Sequence, residues 1–153
     1  MAIYWEDLNI GDRFTSQTDF ILNEEDIIEF ASKFDPQPYH LDSVAAKTSI
    51  FGGLCASGWQ ISALTLKMIS DCFYSKKIAI MGLASVERLR WKKAVFSGDA
   101  LSAEVTLLKK YPRSRLPNVG KISTEIYVKN QNNEVTLTLT NSLLISLKGK
   151  SDE

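Results

Sequence analysis

The sequence predicts an α+β protein of one domain, residues 1–153, in which an antiparallel sheet wraps around one long central helix. Two observations lead to this prediction. A segment that begins near Ser57 and Gly58 and runs to Phe73 is apolar around most of its circumference, which is typical of a helix buried on several sides. Four segments of the C-terminal half alternate apolar and polar residues with a period of two, which is typical of strands with one covered face.

Before the central helix, the pattern predicts an extended segment from Arg13 to Ile21, a helix from Glu24 to Phe34 and a short helix from Ser43 to Lys47. Asn23 and Asp42 stand directly before the two helices and offer side-chain oxygens that can cap them. Pro36 disfavours helical backbone angles at the residue before it, so the first helix should end at Asp35.

The four segments with period two are Ile78 to Trp91, Asp99 to Leu108, Lys121 to Val128 and Val135 to Leu147. Turn-forming residues separate them at Ser97 to Asp99, Pro112 to Gly120 and Asn130 to Asn133. These turns predict hairpin connections, and therefore an antiparallel sheet with one covered face. The central helix would lie on that face, and its second apolar flank predicts a partner subunit, so we expect a homodimer.

Composition excludes several classes of function. Eighteen basic residues balance eighteen acidic ones, so no net field favours nucleic acid or an anionic membrane.

Cys55 and Cys72 have neither CxxC spacing nor a second histidine nearby, so we expect reduced thiols and no metal site. The N-terminus has no apolar signal region, and no apolar run approaches the ~20 residues of a membrane span. We therefore expect a soluble, cytoplasmic protein.

Asp35 and His40, the single histidine of the chain, are candidates for acid–base chemistry. A carboxylate and an imidazole on one short loop can both reach the same water molecule, and histidine titrates near neutrality. Pro36 and Pro38 restrict the backbone between them. The alternative is an ordinary loop histidine beside a helix-terminal acid, and the spacing alone favours that alternative.

The second candidate feature is the start of the central helix. Gly52-Gly53 and Ser57-Gly58 stand before and at its first turn, where backbone N–H groups have no partner within the helix. These N–H groups and the helix dipole can stabilise an oxyanion, and glycine lets a substrate carbonyl approach the backbone. The alternative is that Ser57 only caps the helix and that the glycines form a tight turn.

Together, these residues resemble the MaoC-like dehydratases, which are hot-dog-fold relatives of the (R)-specific enoyl-CoA hydratases. The family pattern reads Asp-x-Asn-Pro-x-His-x-Asp, then Phe-Gly, then Ala-His-Gly. It stands here as Asp35-Pro36-Gln37-Pro38-Tyr39-His40-Leu41-Asp42, then Phe51-Gly52, then Ala56-Ser57-Gly58. Gln37 replaces the usual asparagine and Ser57 the usual histidine. The resemblance extends along the chain, since one long helix followed by antiparallel strands is the order expected of a hot-dog domain.

The resemblance implies a reversible syn hydration of a trans-2-enoyl thioester to a (3R)-hydroxyacyl thioester. It assigns Asp35 and His40 to holding and deprotonating the water, with one of them returning a proton to C2. Gly58, with Ser57 beside it, would bind the substrate and its oxyanion. It implies no metal or redox cofactor, and coenzyme A would enter only as part of the acyl-CoA substrate.

Arginines elsewhere are candidates for contacts with the substrate. Arg113 and Arg115, on a proline-bounded loop, would suit the phosphates of coenzyme A, although solvated loop charges are the simpler interpretation. Arg88 or Arg90 would border the active site if the resemblance holds.

Two other functions stay open at the level of the sequence. Hot-dog acyl-CoA thioesterases carry their catalytic carboxylate on or near the central helix, where this chain has only Asp71, near the far end. A non-catalytic module that binds acyl thioesters is the other alternative, which the replacements at Gln37 and Ser57 would permit.

Overall fold

The computed structural model describes residues 1–16 and 19–149. Four helices and six strands follow one another in the described residues, after a 3-10 turn at Trp5–Asp7: β1 (Arg13–Thr15), β2 (Phe20–Ile21), α1 (Glu24–Phe34), α2 (Pro38–Leu41), α3 (Ser43–Lys47), α4 (Gly58–Ser75), β3 (Ile80–Trp91), β4 (Ala100–Tyr111), β5 (Val119–Lys129) and β6 (Val135–Ser146). The predicted extended segment from Arg13 to Ile21 contains β1 and β2, and Gln17 and Thr18 within it lie outside the described residues.

The strands form one antiparallel sheet in the order β1-β4-β5-β6-β3, and β2 also pairs with β4. The prediction of a hairpin between β3 and β4 is wrong, because β3 pairs with β6 and lies at the edge of the sheet. The connection between them crosses the start of α4, where the carbonyl of Val95 accepts the N–H of Ala56 and Phe96 pairs with Cys55. Alternation within a strand identifies the strand but does not specify its neighbour.

The central helix α4 lies against the concave face of this sheet, as the apolar pattern predicts. Its buried face includes Ile61, Thr65, Ile69 and Phe73, and the inward residues of the long strands complete the core. Three of these residues are β-branched, which costs up to ~0.7 kcal/mol each in helix propensity. Burying one large apolar side chain contributes about 1.5–3 kcal/mol, so packing against the sheet determines that this segment is a helix.

One flank of α4 is not covered within the subunit. Trp59 is 61% exposed and Leu66 is 43% exposed, although both belong to the apolar pattern of this helix. Tyr74, near the C-terminal end, is also exposed. The opposite flank of α4 packs against the sheet. The sheet covers only this part of the helix, so the other flank stays exposed.

The helices α1 and α3 begin and end where the sequence pattern predicts. The Asn23 side chain accepts a hydrogen bond from the N–H of Asp26, at 2.8 Å, and α1 ends before Asp35 and Pro36. The Asp42 side chain accepts the N–H groups of Val44 and Ala45. Residues 35–57 connect α1 to the N-terminus of α4, and this connection carries the residues of the candidate site.

The described residues contain no helix that is long and apolar enough to cross a membrane. Within the same residues, no cluster of three or more histidine, cysteine or acidic side chains is arranged to hold a metal ion.

Both cysteines are free and buried, as the sequence predicts, and burial raises the pKa of each thiol. We expect Cys55 and Cys72 to react slowly with a thiol reagent at pH 8 in the native protein, because a raised pKa and low access both reduce the available thiolate. In guanidinium chloride both should react quickly. Single Cys→Ser variants assign each thiol, and fast labelling of either one under native conditions would contradict this packing.

Candidate active site

His40 lies on α2, a short helix that begins at Pro38, and not in a loop as the sequence suggested. It is only 6% exposed, and its Nδ1 lies 2.6 Å from the carbonyl oxygen of Cys55. A carbonyl oxygen can only accept, so Nδ1 carries the hydrogen of this bond. In the neutral ring, Nε2 is therefore an acceptor with a free lone pair, directed towards Asp35.

Asp35 is the C-terminal cap residue of α1, and its side chain is 27% exposed. Its Oδ2 lies 3.4 Å from Nε2 of His40, which is longer than an ordinary hydrogen bond. A carboxylate oxygen and an unprotonated imidazole nitrogen both accept hydrogen bonds. A water molecule, with two O–H groups to donate, can satisfy both at once.

Ser57 is the N-cap of α4 and is fully buried. Its hydroxyl donates to Oδ2 of Asp35 at 2.8 Å and accepts the N–H of Trp59 at 3.3 Å. The same oxygen therefore caps the central helix and fixes the carboxylate. The capping role, which the sequence offered as one of two alternatives, is confirmed, and the hydroxyl also contacts Asp35.

Gly58 is the first residue of α4, and its N–H has no acceptor among residues 1–16 and 19–149. The indole of Trp91 lies against Gly58: a Cβ atom at position 58 would stand 2.6 Å from Cε2 of that ring. The ring is held there because Nε1 of Trp91 donates to the carbonyl oxygen of Gly58 at 2.7 Å. Only glycine therefore fits at position 58, because the indole of Trp91 occupies the space that a side chain there would need.

His40 and Gly58 line one cavity of about 310 Å³. The other lining residues are Tyr39, Phe51, Cys55, Ala56, Ile61, Trp91, Lys92, Lys93, Ala94, Val95 and Thr136. His40 and Gly58 therefore border the same space, while Asp35 does not line it and contacts it only through His40, with its Oδ2 3.4 Å from Nε2. The positive end of the α4 dipole lies at this wall and favours negative charge on a bound group.

The replacement of the family's asparagine by Gln37 does not disturb the pair. Gln37 is exposed, and its carbonyl oxygen accepts the N–H of His40 while its N–H donates to the carbonyl of Asp35. These contacts use only the backbone of residue 37. The geometry of the pair therefore tolerates the longer amide side chain.

Lys92 and Lys93 both line the cavity, and they differ in whether an acidic side chain neutralises them. Lys93 forms an ion pair with Glu134 and holds the pKa of that carboxyl group below its usual value. Lys92 has no such partner in the described part of the chain and donates its backbone N–H to Thr136. It is the cation at this cavity that is available to an anionic ligand.

Arg113 and Arg115 are not brought to this cavity within one subunit. They follow the end of β4, whereas the cavity lies at the opposite end of the sheet, beside Trp91 and Thr136. β4 has twelve residues, and at about 3.3 Å per residue it spans roughly 40 Å. Any contact with a ligand in this cavity would require the arginines of another subunit.

Trp91 and the aromatic wall of the cavity are not predicted from the sequence. Tyr39 packs edge-on against His40, with ring centroids 4.5 Å apart, and Phe51 packs on the other side of Tyr39 at 5.1 Å. Tyr39 directly precedes His40 in the chain, so the sequence could have indicated an aromatic neighbour of the histidine. Trp91 stands at the end of a strand, and nothing in the sequence pairs it with Gly58.

Comparisons with known proteins identify the family of the chain. A family model described as "MaoC like domain" matches residues 7–128. An uncharacterised protein of Bacillus subtilis, YdeM, is 33% identical over 109 residues, which cover 71% of this chain and 75% of YdeM.

Two solved structures illustrate the likeness of the fold. The MaoC-like dehydratase from Rhodospirillum rubrum is 35% identical, with a TM-score of 0.86 over 97% of this chain and 99% of that one. The R-hydratase PhaJ1 from Pseudomonas aeruginosa is 24% identical, with a TM-score of 0.65 over 99% of this chain and 93% of that one, and shows a shared fold. The Asp35–His40 pair thus lies within a hot-dog domain, and the chain belongs to the MaoC-like dehydratase family.

Proposed function

We propose that this protein is a hydro-lyase that adds water reversibly to a trans-2-enoyl thioester and forms the (3R)-hydroxyacyl thioester. One observation carries the proposal: Oδ2 of Asp35 lies 3.4 Å from Nε2 of His40, and His40 lines the same cavity as Gly58, whose N–H has no acceptor among the described residues. The first two groups suit the activation of water, and the third suits a carbonyl oxygen that gains negative charge.

In the proposed reaction, the water donates one hydrogen bond to Asp35 and one to Nε2 of His40. His40 takes a proton because the hydrogen on Nδ1 is already given to the carbonyl of Cys55. The water oxygen forms a bond to C3, and the electrons of the C2=C3 bond move to the thioester oxygen. The N–H of Gly58 and the α4 dipole stabilise this enolate. C2 then takes the proton from the same side, which gives syn addition.

The reaction needs neither a metal nor a redox cofactor, because the thioester itself makes C3 electrophilic. Coenzyme A is the proposed carrier of the acyl group, and Lys92 at the cavity is a candidate contact for its phosphates. Ser57 acts through Asp35: its hydroxyl holds the carboxylate in the orientation that faces His40.

We also propose that two chains form a homodimer through the free edge of β3 and the uncovered flank of α4. Leu83 and Val86 on β3 are exposed within one subunit, as are Trp59 and Leu66 on α4. A twelve-residue edge strand with exposed apolar side chains favours pairing with another strand. Two copies related by a twofold axis would pair these strands antiparallel and cover both flanks.

A thioesterase is less consistent with the arrangement. Asp71, the carboxylate on the central helix, is exposed and bonded to Lys67 one helical turn away. It lies in the last turns of α4, far along the helix from Gly58, and no described cavity is lined by it.

The first prediction concerns the catalytic pair. Asp35→Asn and His40→Gln should each lower kcat for hydration of crotonyl-CoA or a longer enoyl-CoA by about 10²–10⁴-fold, since each removes an acid–base group. The loss of absorbance of the conjugated thioester measures the rate, and circular dichroism checks the fold. Asp71→Asn is the matched control and should keep wild-type turnover. Wild-type turnover in both pair variants would exclude the mechanism, and free thiol release from saturated acyl-CoA would favour the thioesterase.

The second prediction concerns Ser57. Ser57→Ala should lower kcat about tenfold with a smaller change in KM, because one hydrogen bond to a charged group is lost. It should also cost roughly 1 kcal/mol of stability through the lost helix cap. Asn23→Ala removes the cap of α1 at a similar cost but does not touch Asp35. If Ser57→Ala and Asn23→Ala lower kcat equally, the role of Ser57 is structural only.

The third prediction concerns the dimer. Light scattering should give the mass of two chains for the wild type, and Val86→Lys should shift the population towards one chain because it places charge in the proposed interface. Val44→Lys makes the same change at an exposed position on α3 and should leave the mass unaltered. A wild-type protein with the mass of one chain at assay concentrations would exclude this interface.

A further inference from the structure

The edge strand β3 contains a bulge close to the candidate site. The register of β3 against β6 shifts between Glu87 and Arg90, so that Arg88 and Leu89 together stand opposite one residue of β6. Two residues against one define a β-bulge, which bends a strand and changes the direction of the side chains that follow it.

Arg88 has an uncommon backbone conformation within this bulge. Its φ is +52°, in the left-handed region, where the Cβ of an L-residue crowds its own backbone. No other residue of β3, which is described throughout, has a positive φ. Asn118 and Asn133 share this conformation, but they lie between strands and are asparagines, which adopt it more readily. An arginine held in this conformation within a strand therefore depends on its surroundings.

The bulge changes which side chains of β3 face the central helix. Val86 and Leu89 line one apolar cavity together with Ile69 and other residues of α4. They are three positions apart, and in a regular strand two such residues would point to opposite faces. The extra residue between them therefore brings both side chains to the face that packs on α4.

The same change of direction determines where Trp91 lies. Trp91 stands two positions after Leu89 and also faces α4, where its Nε1 donates to the carbonyl oxygen of Gly58 at 2.7 Å. In a strand without the bulge, alternation from Val86 onwards would direct Arg88 towards α4 and Trp91 away from it. The contact between Trp91 and Gly58 thus requires the bulge.

Trp91 in turn supports the first turn of α4. Its Nε1 also contacts the hydroxyl of Ser62 at 3.2 Å, and its ring lies against the α-carbon of Gly58 in the cavity that His40 lines. A hydrogen-bond donor stabilises an oxyanion well only where its position is fixed and water is excluded. Displacement of the indole would remove both conditions at the N–H of Gly58.

We propose that Arg88 is a positioning residue of the candidate active site, and that it acts through its left-handed backbone conformation, which turns Trp91 onto Gly58. This inference rests on the proposed function, because Gly58 binds the thioester oxygen in that reaction. The charge of Arg88 is not needed for this role, since the side chain is exposed and does not line the cavity of His40 and Gly58.

The test varies how well position 88 tolerates the left-handed conformation. Arg88→Asn removes the charge but adopts this conformation readily, whereas the β-branched side chain of Arg88→Val strongly disfavours it. We expect Arg88→Val to lower kcat for hydration of crotonyl-CoA about tenfold with a smaller change in KM, because a hydrogen bond used in the transition state is weakened. Arg88→Asn should keep the wild-type kcat and raise Tm by about 2–4 °C, since it relieves backbone strain.

Glu87→Val is the matched control for the new side chain. It places valine at the neighbouring position of the same strand, where φ is not positive, and it should leave kcat unchanged. Light scattering of all variants checks that the number of subunits is unaltered.

Two further readouts show whether Arg88 acts through Trp91. The rings of Trp59 and Trp91 lie 5.2 Å apart at 77°, so coupling between the two indoles should give a couplet in the far-ultraviolet circular dichroism, which Trp91→Ala identifies by removing it. Arg88→Val should weaken this couplet, and Arg88→Asn should retain it. Adding Arg88→Val to Trp91→Ala should lower kcat no further, because the residue through which it acts is already absent.

Several outcomes would overturn the proposal. They are a wild-type kcat and couplet in Arg88→Val, losses in Arg88→Asn as large as those in Arg88→Val, and additive losses in the double variant. A changed mass of Arg88→Val with an unchanged couplet would assign the residue to the subunit interface instead. If Arg88→Val does not fold, Arg88→Asn decides, because a lowered kcat or Tm in that variant contradicts the proposal.

Failure of the proposed function has a separate signature, namely no hydration of any enoyl-CoA by the wild type. The couplet then tests the placement of Trp91 without chemistry. A weaker couplet in Arg88→Val and an unchanged one in Arg88→Asn and Glu87→Val would support the role of the bulge. Equal couplets in all three variants would overturn it.

Discussion

The buried hydroxyl of Ser57 is the contact on which the arrangement of the candidate site depends. It accepts the N–H of Trp59, so it determines where α4 begins, and it donates to Asp35, so it fixes the carboxylate relative to that helix. One oxygen thereby joins the end of α1 to the start of α4. Ser57 is fully buried and the Asp35 side chain is 27% exposed, so the loss of the hydrogen bond between them costs more than it would at the surface.

A second constraint follows from the same helix terminus. The N–H of Gly58 has no internal acceptor because it belongs to the first turn, and Trp91 approaches the α-carbon so closely that a side chain would collide with it. The indole is held by the Gly58 carbonyl and the Ser62 hydroxyl. The end of β3 and the start of α4 are thus fixed to one another, and the cavity lined by His40 and Gly58 lies beside this contact.

The replacements relative to the family pattern have different structural consequences. Gln37 acts only through its backbone, which supports the turn between Asp35 and His40, so its longer side chain leaves the pair unchanged. Ser57, in the place of histidine, contacts the carboxylate directly. A small hydroxyl at this position fills less space than an imidazole would and supplies a single hydrogen-bond donor. In this chain the hydroxyl supports Asp35, and the Asp35–His40 pair is retained.

The sequence alone predicted α1, α3, α4 and the four long strands, though not α2, and it gave Asp35, His40, Ser57 and Gly58 as candidate residues of the site. Asn23, Asp42 and Ser57 cap helices where the pattern predicts, and alternation located the four long strands, because capping and periodicity depend on residues close together in the chain. The tertiary structure decided that β3 pairs with β6, that Ser57 bonds to Asp35 across 22 positions and that Trp91 covers Gly58 across 33. It also placed Arg113 and Arg115 at the opposite end of the sheet. These relations arise only when the sheet curls around α4, since local sequence does not encode which distant surfaces meet.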